Sequence, residues 1–159
     1  MRPLVFLAIF AIACVKRDAK DDLKARVDIT LATAPRIIKG KTSPSLPQFV
    51  TDTAGKSRTE GRKTVVYVGA TWCEPCQRFH KALENGELNA QLSNVDFIEF
   101  DADSAKAELQ ASGYWGMYIP LFVKPGPDGR GQKERVEGAE KGEGAVAYLT
   151  PRLKELVAK

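Results

Sequence analysis

Two cysteines three residues apart, Cys73 and Cys76, stand where an apolar, β-branched run gives way to a segment of helical period. The run is Val65-Val66-Tyr67-Val68, the turn is Gly69-Ala70-Thr71, and Trp72-Cys73-Glu74-Pro75-Cys76 opens the helix. A cysteine at a helix start lies beside backbone N–H groups with no intrahelical partner, at the positive end of the dipole. Both influences favour the thiolate, the form that attacks disulfides. Cys76, one turn further on, is in reach of Cys73 for a short disulfide. Pro75 falls in the first turn, where a missing N–H costs little. The chemistry open to this pattern is thiol–disulfide exchange. Cys73 attacks a disulfide, a mixed disulfide forms, and Cys76 releases it by attacking the Cys73 sulfur; the reverse sequence oxidises a dithiol. Cys73, Cys76 and His80 also have a spacing that zinc can use, but a fourth soft ligand is lacking, so no metal is expected. Haem attachment needs histidine directly after Cys76, and Gln77 stands there.

The elements that must position the pair follow from periodicity. Thr64–Gly69 is apolar on both faces, as a buried parallel strand is. From Cys73 a helix presents Phe79 and Leu83, four apart, and ends near Asn85-Gly86; Leu88 and Leu92 repeat the spacing beyond it. Val95–Asp101 is the next strand, and Ser104 is expected to cap a short helix to Ala111, with Gly113 ending it. Leu121–Lys124 and Gln132–Glu137 form an antiparallel pair around Pro125-Gly126-Pro127-Asp128-Gly129. Val146, Leu149, Leu153 and Leu156 make the apolar stripe of a last helix, which Pro151 should kink or restart with Thr150 as cap.

Taken in this order, with Trp72-Cys73-Glu74-Pro75-Cys76 followed by Gly116-Met117-Tyr118-Ile119-Pro120-Leu121-Phe122-Val123, the chain from Thr64 to its end resembles the thioredoxin superfamily. The resemblance implies an α/β fold with a mixed central β-sheet flanked by helices. It implies a redox-active Cys73–Cys76 disulfide and no other cofactor. Pro120 is then a cis-proline facing the sulfurs, with the Ile119 backbone free to pair with an extended substrate segment. Trp72, Glu74, Pro75 and Ile119 become the substrate-binding residues. The layout around Gln77–Lys81, Glu84–Leu92 and Phe122–Gly129 is similar to the C-terminal domain of bacterial thiol:disulfide interchange reductases.

At 159 residues and 43% apolar content the chain has material for one core. Its first residues are not part of it. Leu4 to Ala13 is an apolar run of signal-peptide length, short of the roughly 20 residues of a spanning helix. Ala11-Ile12-Ala13-Cys14 resembles a lipobox, which implies cleavage before Cys14 and its lipidation; Ala-x-Ala also suits ordinary signal peptidase, leaving a free thiol. The expected organisation is a signal peptide over 1–13, a lipid-anchored tether over 14–47 and the thioredoxin-like domain over 48–159. Within the tether, Val27–Leu31 and Arg36–Lys39 are candidates for an extra edge strand. Residues 15–63 carry 12 Lys and Arg against 6 Asp and Glu, and residues 64–159 carry 11 against 14. The basic excess thus belongs to the tether, which can lie on anionic lipid or simply remain solvated. No basic–aromatic pattern points to nucleic acid.

Two positions depart from the resemblance. Where thioredoxins carry a buried aspartate before the motif, this chain has Tyr67, and Glu99 replaces a lysine on the neighbouring strand. One reading gives Glu99 a raised pKa beneath Cys76 and the task of moving its proton, through Tyr67 or water; the other makes it an ordinary strand residue reaching solvent. Glu74 should raise the Cys73 pKa and make the pair more reducing. His80 is left outside the catalytic set. The catalytic residues expected are Cys73, Cys76, Pro120 and Glu99. The function expected is an exported, membrane-anchored thiol–disulfide oxidoreductase on the periplasmic side of a bacterial membrane, reducing protein disulfides with electrons from a transmembrane donor. A non-catalytic binding module and a periplasmic oxidase are the competing readings.

Overall fold

The computed structural model describes residues 33–159, together with residues 20, 23, 24 and 26–28; the apolar run, Cys14 and most of the tether lie outside the described residues. Five strands form one mixed sheet in the order β1-β3-β2-β4-β5. These are β1 (Arg36–Lys39), β2 (Lys63–Gly69), β3 (Val95–Asp101), β4 (Leu121–Pro125) and β5 (Gly131–Glu137). β3 is parallel to both β1 and β2, whereas β4 is antiparallel to β2 and β5. The helices are α1 (Leu46–Thr59), α2 (Glu74–Glu84), α3 (Lys106–Ala111) and α4 (Gly144–Ala158).

Alternation along the strands divides the core in two. Val65, Tyr67, Phe97 and Phe122 face α2 and α4; Val66, Val68, Ile98 and Val123 face α1 and α3. Phe79 of α2 is fully buried, edge-on to Tyr67, Phe97 and Phe122 at 4.9–5.4 Å between ring centroids. Tyr67 in turn stacks on Phe122 at 5.0 Å. Each such pair adds about 0.5–1.5 kcal/mol beyond its buried area. This aromatic knot fixes α2 on the sheet, and with it the two cysteines at its start.

The domain reaches further toward the N-terminus than residue 48. Arg36–Lys39 is the edge strand, paired residue for residue with Asp96–Glu99, while Val27 and Asp28 are helical rather than extended. Helix α1 was not legible in the sequence because Ser45-Leu46-Pro47 has the composition of a linker. Its physics is that of a helix start: the Ser45 hydroxyl accepts from the Gln48 N–H at 3.2 Å, and Pro47 occupies the first turn. Leu46 and Val50 then bury one face.

Two capping expectations are corrected. Ser104 does not cap α3; the Asp101 carboxylate instead accepts from the backbone N–H groups of Asp103 and Ser104 at 3.1 and 2.8 Å, one turn earlier. Helix α4 runs through Pro151 without restarting. Pro151 is exposed, and the Thr150 hydroxyl donates to the Val146 carbonyl at 2.7 Å rather than capping a new helix. In the β4–β5 turn, Gly129 has φ 72° and a side chain there would collide with the Pro47 carbonyl, so the turn and the start of α1 close on each other only through glycine.

Candidate active site

Strand β2 ends in Gly69, and Cys73 is the N-cap of α2. The Cys73 sulfur accepts from the Cys76 N–H at 3.3 Å, using one of the donors a helix start leaves without a partner. The two cysteines are joined in a disulfide with Cα atoms 5.2 Å apart, and both are buried. Pro75 is buried in the first turn. The Ile119–Pro120 peptide bond is cis, Pro120 is buried, and Ile119 packs against the core cluster that contains both cysteines. The Pro120 carbonyl accepts from the Gly138 N–H at 2.7 Å, which ties the loop to the end of β5.

Exposed aromatic and apolar side chains stand next to Cys73 in the motif and on the loop before Pro120. Trp72 is 66% exposed, with its indole N–H donating to Asp103 at 2.8 Å. On the loop before Pro120, Met117 is 80% and Tyr118 53% exposed. One Glu137 oxygen accepts from the backbone N–H groups of both residues, at 3.1 and 2.9 Å, so a charged group on β5 holds the loop in place. Neither Glu137 nor this apolar display stood out in the sequence, because no periodicity links positions 20 residues apart.

Glu74 does not stand as a free charge beside the sulfurs. It pairs with Arg78 one turn along, and its other oxygen accepts from the Gly142 N–H at 3.2 Å. The Arg78 bond, then the Gly142 bond, hold its carboxyl below the usual range. Glu74 is thus a paired carboxylate, and its bond to the Gly142 N–H fastens the loop that enters α4.

Glu99 also differs from expectation. Burial is the largest single influence on it and raises its pKa, but hydrogen bonds from His80 and Lys39 and their charges outweigh burial, and the net shift is downward. It is an ion-paired carboxylate, not a carboxylic acid poised near neutrality. The His80 Nε2 lies 2.8 Å from one Glu99 oxygen, and Lys39 pairs with the other. Tyr67 is fully buried, and its hydroxyl is the one buried side-chain polar atom without a hydrogen-bond partner among the described residues. Burial, reinforced by the Glu99 charge, pushes the phenol well above its ordinary value. The hydroxyl lies so close to Gly69 that any side chain there would strike it. Cys76, His80, Glu99, Tyr67 and Lys39 all line one cleft of about 1200 Å³. His80, which the sequence places one turn past Cys76 on the same helix face and which was left outside the catalytic set, lines this cleft too. Among the described residues, no three His, Cys, Asp or Glu side chains converge to hold a metal ion.

A mixed sheet carrying a helix-capping disulfide, with a cis-proline next to a residue packed on the same core cluster, is the arrangement of a thiol–disulfide centre. Solved structures with a similar fold include Trichomonas vaginalis thioredoxin (21% identical, TM-score 0.48, covering 77% of this chain and 97% of that one). Oxidized thioredoxin O1 from Arabidopsis thaliana is another (21% identical, TM-score 0.47, covering 78% and 98%). No family model matches the chain. Thioredoxin Asp f 28 of Aspergillus fumigatus is 35% identical over 103 residues, which span 65% of this chain and 86% of that protein. The chain belongs to the thioredoxin family. Its Cys73–Cys76 disulfide is the redox group of a thiol–disulfide oxidoreductase.

Proposed function

We propose that this oxidoreductase works outside the cytoplasm, anchored to a bacterial membrane through lipidated Cys14, and reduces disulfides in substrate proteins. The observation that carries the reading of the site is the Cys73 sulfur at the N-cap of α2, bonded to Cys76 and receiving its N–H. On reduction both sulfurs gain a proton or become thiolate, and the helix start favours the charge on Cys73. Cys73 attacks a substrate disulfide and expels one substrate thiolate. Cys76 then attacks Cys73, the mixed disulfide breaks, and two electrons have passed to the substrate. The exposed Trp72, Met117 and Tyr118 offer an apolar surface to the protein chain around that disulfide. Ile119, beside the cis bond, offers its backbone for pairing with an extended segment.

Export and anchoring rest on the sequence of the first residues, the apolar run to Ala13 followed by Cys14. A transmembrane dithiol donor then returns the electrons. Insulin turbidity in the presence of dithiothreitol tests the activity: the wild type should accelerate precipitation and Cys73→Ser should not, and equal rates would leave only a binding module. Equilibration with glutathione tests direction. A reductase should lie near the thioredoxin value of about −270 mV, an oxidase near the DsbA value of about −120 mV. Mass analysis of the mature N-terminus, for a diacylglyceryl group on Cys14, tests the anchor.

A further inference from the structure

The resolving step requires Cys76 to lose a proton inside the protein, and Cys76 is buried. We propose that His80 takes that proton, with Glu99 as the residue that positions its ring. The inference rests on the thiol–disulfide reading of the same site. It begins with placement: residues four apart share a helix face, so His80 and Cys76 lie one turn apart on the same side of α2. Both line the same cleft, at whose floor lies Tyr67. The His80 ring is tilted against the Tyr67 ring at 5.6 Å between centroids, which limits its swing. Nε2 is committed to Glu99, leaving Nδ1 to accept from the Cys76 thiol or from a water between them.

Of the groups available, His80 alone suits the task. Tyr67 has no acceptor for its own proton, and burial keeps it protonated far into base. Glu99 is held ionised by Lys39 and His80 and is a weak base for a thiol. The remaining charged groups lining the cleft are Lys39 and Lys41 from the β1 side, Lys81 and Glu84 on α2, and Asp101 at the end of β3. Asp101 is held below the carboxylate range chiefly by the Ser104 N–H. Imidazole is the side-chain class whose charge change falls near neutrality, whereas the Glu99 and Asp101 carboxyls are shifted down and the phenol up. In the step itself, neutral His80 accepts the thiol proton and becomes an imidazolium facing the Glu99 carboxylate. The Cys76 thiolate forms the bond to Cys73, and the substrate sulfur departs as a thiolate that takes a proton from the imidazolium or from water. The dithiol is oxidised by two electrons and the substrate disulfide reduced by the same two.

The test uses the whole pre-reduced chain in a single turnover with insulin, quenched in acid at intervals so that the mixed disulfide can be counted across pH. In the wild type, resolution should quicken as pH rises through the imidazole range. His80→Asn should lengthen the life of the mixed disulfide roughly hundredfold or more at pH 7. Its rate should rise only nearer the ordinary thiol range, about 8.5. Alkylation of Cys73 by iodoacetamide should be unchanged. Glu99→Gln, which leaves the imidazolium without its carboxylate, should displace the wild-type rise to lower pH. Because Glu99→Gln preserves shape, it carries the test even where His80→Asn folds poorly. A profile of wild-type shape and position in both variants, or a slowing by one factor at every pH, overturns the proposal. Insulin reduction dependent on Cys73 would survive that outcome, so the two readings fail separately.

Discussion

Of the three carboxylates on strand β3, Asp96 and Glu99, three residues apart, live in opposite surroundings. Asp96 faces α1, is fully buried, and accepts from Arg36 at 2.8 and 2.7 Å, from Ser57 at 2.6 Å and from Arg62 at 2.6 Å. Arg62 is itself buried and donates further to the Ala34 and Val95 carbonyls. Every oxygen is occupied and the cluster is closed. Glu99 faces α2 instead, with two cationic or ring donors, an unsatisfied phenol close by and an open cleft shared with Cys76. Asp96 lies near the start of β3 and Glu99 near its end, the end at which the parallel strand β2 delivers its chain to the motif. With each oxygen engaged and its carboxyl held below the usual range, Asp96 serves to hold β1, α1 and the entry to β2 onto β3. The open surroundings of Glu99 are the kind of arrangement in which a proton can move.

The contrast is broken most directly at Asp96. Asp96→Asn leaves the buried Arg62 charge without its partner, and urea unfolding should show a loss of about 3–5 kcal/mol. The rate of disulfide reduction per folded molecule should not change. Were the rate to fall while stability held, the division into a structural and a chemical carboxylate would be mistaken. Next in size is Gly69→Ala, which drives a methyl group into the Tyr67 hydroxyl; an overpacking loss of about 1–3 kcal/mol is expected, visible in thermal unfolding. Tyr67→Phe together with Gly69→Ala should recover only part of it, because the methyl would still lie 2.8 Å from the ring carbon that carried the hydroxyl.

Tyr67→Phe alone sharpens the comparison from the other side. A buried hydroxyl without a partner costs about 1–3 kcal/mol, so its removal should stabilise the protein by about 1 kcal/mol. A loss of stability instead would mean that the hydroxyl holds a water in the cleft.

The acid limb of stability separates the carboxylates by pH. Asp96 is shifted downward: burial, the largest influence, raises it, but the bonds from Arg36, Ser57 and Arg62 together overcome burial. A carboxyl depressed in the folded state contributes stability that is complete above its unfolded value, about 4, and disappears as pH falls through the folded value. Unfolding free energy should therefore be insensitive to these groups from neutrality to about pH 5 and decline below. Asp96→Asn should flatten the decline more than Glu99→Gln does. The smallest effect is reserved for Lys39→Ala. Its side chain is 78% exposed, and the loss should stay below about 1 kcal/mol and shrink further in salt.

How much of this was legible in advance depends on the range of the interaction. Strand β3 was bounded at the residues observed, and β2, β4 and β5 to within a residue, because their apolar periods are local; for the last helix the sequence showed only its apolar stripe. Helix α1 was missed because its Ser-Leu-Pro start reads as linker and its buried face is short. Strand β1 was one of two candidates; only pairing with β3 chose between them. Of the two readings open for Glu99, the raised pKa is overturned by its ion pairs, and Glu74 turned out to be tied to neighbours that the sequence did not assign to it. Their partners, Arg78 and Gly142 in one case, His80 and Lys39 in the other, decide the sign of the shift.

The amino-acid sequence by itself determined the reaction centre: two cysteines a turn apart at a strand-to-helix junction, with a proline inside the turn. Those preferences are set by backbone geometry and helix electrostatics within a few residues, so no distant contact is needed to express them. Tertiary structure alone decided which charges surround the pair, because a carboxylate's behaviour follows from whichever donors the fold brings within 3 Å of it. Those donors come here from residues 19 and 60 positions away.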